Sequence, residues 1–104
     1  MLDLEKAVTY CYSTDMQELL FTALNLLPNN KEVDRLKERL VIQMFIEALQ
    51  REQMHFALRI QADFKSTIME YSYEVLNHVM NCLLYSPFYM DVKLSILHEF
   101  LPKI

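Results

Sequence analysis

The run KEVDRLKERLVIQMFIEALQREQMHFALRIQADFKSTIMEYSYEVLNHVMNCLLYS, residues 31–86, decides the fold. It contains 56 residues without a proline or a glycine, and as one helix it would be about 84 Å long at 1.5 Å per residue. A compact domain cannot hold such a rod, so the run folds back on itself or pairs with something. A heptad seam would excuse the length, but from Leu40 to Ile46 apolar residues cover every face except that of Gln43, unlike an a/d stripe. Breaks are therefore expected in the polar stretches Gln50 to Gln53 and Asp63 to Thr67, with Asp63 or Ser66 capping a new helix.

Upstream, Leu4, Ala7, Val8, Cys11 and Tyr12 fall at helical spacing. Ser13-Thr14-Asp15 then offers capping oxygens for a second segment, Met16 to Leu27. Pro28-Asn29-Asn30 ends this pair, because proline cannot continue a helix and asparagine tolerates the left-handed region. Asn30 is placed to cap the long run. Downstream, Met69, Tyr73, Leu76, Met80 and Leu83 share one side of a helix, and Ile68, Tyr71, Val75, Val79 and Cys82 an adjacent one. Only Glu70, Glu74, Asn77 and Asn81 form its polar stripe, so this helix is either central or half-covered by a partner. Ser86-Pro87 reads as cap and first-turn proline of a last helix, Phe88 to Leu101, which Pro102 ends. No segment alternates with a period of two, and without glycine the only hairpin turn available is Asn29-Asn30.

The reading is all-α: one domain over residues 1–104, a compact bundle of about five helices. A short N-terminal pair precedes longer central helices and a C-terminal helix.

Composition narrows function. The absence of glycine removes the P-loop, the Rossmann fingerprint, the nucleophile elbow and the standard EF-hand loop, each of which needs a residue without a Cβ. A net charge of −4 and a pI near 5.3 have the wrong sign for binding nucleic acid by counterion release. Lys31, Arg35 and Arg39 share a face, but Glu32, Asp34 and Glu38 interleave with them and no aromatic residue accompanies them for stacking. Cys11 and Cys82, far apart and each in an apolar stretch, read as reduced thiols of a cytoplasmic protein. The N-terminus lacks a cationic segment followed by an apolar run. The most apolar stretch, Val75 to Tyr85, is too short for the roughly 20 residues of a membrane span.

Three constellations carry possible chemistry. Glu52-x-x-His55 has the spacing of a di-iron carboxylate bundle, but its nearest second copy, Glu74 with His78, has an interval of four. The expected reading is a solvated stripe of Arg51, His55 and Arg59, with Glu52 pairing locally. Cys82 and His78 lie one turn apart as a thiol and a base would, yet apolar neighbours favour a buried thiol. Two cysteines and three scattered histidines lack zinc spacing. No catalytic residue, cofactor site or metal site is assigned.

The aromatic and methionine side chains late in the chain stand out: Met69, Tyr71, Tyr73, Met80, Tyr85, Phe88, Tyr89 and Met90. Tyrosine joins contact area to a polar tip, and methionine adapts to irregular surfaces. A hydrophobic content of 53% exceeds what a domain this small hides alone. The expectation is a non-enzymatic protein-binding module, an adaptor, regulator or chaperone-like subunit. It would act by helix-face docking as a homodimer or in a heterocomplex, without nucleic acid or membrane; the alternative is a metal- or small-molecule-binding helical bundle built around Glu52, His55, Glu74 and His78, and after it a nucleic-acid-binding regulator using the face of Lys31 to Arg39.

Overall fold

A computed structural model describes residues 14–101. The expected first helix, Leu4 to Tyr12, and Cys11 lie outside the described residues. Six helices follow in order: α1 (Thr14–Asn25), α2 (Lys31–Gln50), α3 (Met54–Asp63), α4 (Lys65–Glu70), α5 (Ser72–Tyr85) and α6 (Met90–His98). Among the described residues there is no strand, and no helix is long and apolar enough to cross a membrane. The all-α bundle holds.

α2 starts where the asparagine predicts. Asn30 is extended, and its side chain accepts a hydrogen bond from the Val33 amide at 3.0 Å, which satisfies one donor of an open first turn. Glu32 and Asp34 add favourable charge at that end. The helix stops within the expected polar stretch through a Schellman closure: the Glu52 amide donates to the Leu49 carbonyl and the Gln53 amide to the Ala48 carbonyl. This closure needs a left-handed residue. With no glycine in the chain, Glu52 takes the position at φ 55°.

The next break falls at Phe64, inside the second expected stretch, but neither Asp63 nor Ser66 caps it. Phe64 itself occupies the junction with no side-chain cap, and its ring packs 5.6 Å from that of Phe21. A further break at Tyr71 was not expected, and it raises the helix count. Tyr71 leaves helical geometry at φ −104°, ψ 27°, while its phenol donates to Glu38 across the bundle at 3.1 Å.

The last helix begins later than the sequence implies. Ser86 is the extended residue after α5, and its hydroxyl is engaged elsewhere, so it caps no first turn. The chain crosses Pro87 and Phe88 to Tyr89, which is left-handed at φ 57° and precedes Met90.

One core joins these helices. α2 contributes Leu40, Val41, Met44, Phe45, Ala48 and Leu49, all buried. Consecutive apolar residues from Leu40 to Ile42 bury several faces because α3, α4 and α5 all pack on this helix. α1 lies across α3 through Phe21 and Phe56, whose rings meet edge to face at 5.6 Å. α6 closes the other side, packing on α3 and α5, with Ile96 buried and Phe100 beyond it set 6.5 Å from Phe45.

Candidate functional site

α5 is apolar on two opposite sides. Val75, Val79 and Cys82 fill the core, yet the opposite side of the same helix is also apolar. At 100° per residue, Tyr73, Asn77, Met80 and Leu84 fall within a narrow stripe facing away from the buried set. Tyr73 is 88% exposed, Leu84 83% and Tyr85 82%. After the helix, Phe88 is 67% exposed, and Tyr89, Met90 and Leu94 continue the exposed apolar series.

Of the residues expected at an interface, Tyr71, Tyr73, Met80, Tyr85, Phe88, Tyr89 and Met90 reach water. Met69 is half-buried and packs against the core, so it fills space inside the domain. Tyr71 is committed to Glu38. That bond, and then the charges of Glu38, Glu70 and Glu74, hold its phenol above the ordinary 10.0. Leu84 was missed, although its place four residues after Met80 was the signal for it. Leu94 had no such signal, since its neighbours on α6 are mixed.

A cleft of about 280 Å³ opens beside the stripe. His78, Asn81 and Tyr85 line it from α5, Leu49 and Gln50 from the end of α2, with Glu52 and Cys82 completing the wall. The arrangement does not make a nucleophile of Cys82. Its thiol donates to the Leu49 carbonyl at 3.5 Å and lies 3.9 Å from the Met54 sulfur. Burial pushes it up from the usual 9.0, opposing the smaller pull of Lys93, the reverse of what a thiolate needs.

Next to the cleft is a polar node that sequence reasoning did not find. Lys93 is only 1% exposed, and its Nζ donates to Glu52 Oε1 at 2.6 Å and to the carbonyl and hydroxyl of Ser86, each at 3.1 Å. Ser86 Oγ also donates to Glu52 Oε1. All three ammonium hydrogens are thereby used, which is what a buried cation requires. The Lys93 and Ser86 bonds hold the Glu52 carboxyl below its ordinary 4.5. The node ties the α2–α3 turn to the loop and helix that follow α5.

This geometry corrects the Glu52-x-x-His55 expectation. Glu52 lies in the turn before α3, not on a helix with His55, and it pairs with Lys93 far along the chain instead of locally. Nor do Arg51, His55 and Arg59 form a stripe: Arg51 pairs with Glu47 at 3.0 Å, and Arg59 forks onto Glu18 while covering the Phe21 ring. His55 meets the Tyr89 ring edge-on at 6.3 Å. Among the described residues no three His, Cys, Asp or Glu side chains gather as metal ligands. Lys31, Arg35 and Arg39 stand exposed among exposed Glu32 and Asp34. Comparison with known proteins finds no matching family model, no matching curated protein and no matching solved structure.

Proposed function

We propose that this protein is a small non-enzymatic interaction module of the cytoplasm, an adaptor, regulator or chaperone-like subunit. It works by docking the outer face of α5 and the segment after it onto a protein surface, in a homodimer or a heterocomplex. One observation carries this reading: the side of α5 that turns away from the core is itself apolar, from Tyr73 through Met80 to Leu84.

Magnitudes support it. Tyr73, Tyr85 and Phe88 alone leave roughly 350–600 Å² in water, taking about 150–250 Å² for a whole aromatic side chain. Exposed apolar area of that order, where it is contiguous, is often functional. Aromatic side chains on such a face act as anchors, while the neutral polar edge of His78 and Asn81 provides a rim.

Sedimentation velocity over a range of micromolar concentrations, with Tyr73→Ser/Leu84→Gln protein in parallel, tests the proposal. Self-association, or a complex formed with a host protein, that the double variant loses is the expected result. A wild-type chain that stays monomeric, binds no apolar dye and behaves like the variant in every complex contradicts it.

A further inference from the structure

The charge around the docking face indicates what covers it. From residue 66 to residue 92 the chain has no lysine or arginine, and Glu70, Glu74 and Asp91 are its only formal charges. All three are exposed. Glu70 and Glu74 flank the N-terminal end of the apolar stripe, on either side of Tyr71, which donates to a third carboxylate, Glu38, at 3.1 Å. Asp91 follows the other end in the chain, in the first turn of α6. The next cation, Lys93, is buried and already paired with Glu52. The segment that carries the face is thus an apolar strip with acidic residues before and after it and no lysine or arginine within it.

We propose, on the reading that this face docks protein, that its occupant is an amphipathic helix of another protein with lysine or arginine in its first and last turns. α5 has 14 residues, about 21 Å of helix, so a partner helix of similar length places its cations against Glu70 and Glu74 at one end and Asp91 at the other. Apolar residues at i, i+3 or i+4, i+7 and i+11 meet Tyr73, Met80 and Leu84 between them. A second copy of this chain is a poorer match, because its face brings the same apolar strip with acidic ends and supplies no counter-charge. Complementary charge at the ends selects and orients the partner, and the apolar strip holds it.

Fluorescence anisotropy with three synthetic helical peptides tests this, each with the same leucine stripe and with lysine, glutamine or glutamate in the terminal turns. The lysine peptide is expected to bind about tenfold more tightly than the glutamine peptide at low salt, a gap that narrows as salt screens it. Glu70→Gln/Glu74→Gln/Asp91→Asn should erase the gap, and Tyr73→Ser/Leu84→Gln should abolish binding of both. Equal affinity for the lysine and glutamine peptides overturns the charge inference and leaves the docking reading standing. Lysine-peptide binding that survives loss of Tyr73 and Leu84 places the peptide elsewhere and overturns it too. If no peptide binds and the chain self-associates through Leu84, the occupant is a second copy. If no peptide binds and the chain stays monomeric, the docking reading fails as well.

Discussion

Glu52 stands where a Schellman closure ordinarily places glycine, and the side chain that makes the position unfavourable is the one that rescues it. Its carboxylate neutralises Lys93, which would otherwise be an unpaired charge inside the protein. Removing the two partners therefore has unequal consequences. Glu52→Ala is expected to lower the urea midpoint more than Lys93→Met, because the first leaves a buried ammonium and the second a carboxylate that water reaches. A reversed order would show that the carboxylate, not the lysine, bears the burial cost. The pH dependence follows from the depressed Glu52 value. Stability from this group is in place above its unfolded value near 4.5 and disappears as pH falls through the lower folded value. Glu52→Gln should flatten the acid arm of stability against pH. A residual slope of the same sign remains from Glu18, which the Arg59 bond also lowers.

Helix ends show how far local chemistry reaches. Asn30→Ala should cost about 1 kcal/mol in chemical denaturation and Asn30→Gly only a few tenths, the pattern of a lost N-cap. Equal losses for the two would mean that the side-chain bond to Val33 contributes nothing. This start, and the stop at Gln50, were legible because a capping residue and a polar interruption sit at the boundary itself. The break at Phe64 was legible in place, inside the polar stretch Asp63 to Thr67, but not in the residue that makes it, and the break at Tyr71 was not legible at all, since partners distant in sequence occupy the ring and phenol there, Phe21 and Glu38. The late start of α6 has the same origin. Ser86 reads as a cap until Glu52 and Lys93 claim its hydroxyl. Exposure along α5 was legible in part, from an apolar helix with too narrow a polar stripe. The Lys93 node was invisible because its two charges lie 41 residues apart.

The bundle as a unit depends on a core that spans its length, with Phe45 and Phe100 fully buried and α6 held against α3 and α5. Phe45→Ala should cost about 3–5 kcal/mol, a large share of the stability of a domain this size, and urea unfolding followed by circular dichroism reads that loss. Tyr73→Ser/Leu84→Gln, on the far side of α5, should leave the same transition nearly unmoved, because those side chains bury little in the isolated chain. That contrast separates what folds the protein from what it offers to others. Hydroxyl-radical footprinting of the protein in native cell extract, set against the purified chain at high dilution, reads the offered face directly. Tyr73, Met80, Tyr85 and Phe88 should oxidise several-fold more slowly in the extract, with Leu19 on α1 and Leu26 just after it unchanged. Equal oxidation of α5 in both samples would mean that nothing covers this face.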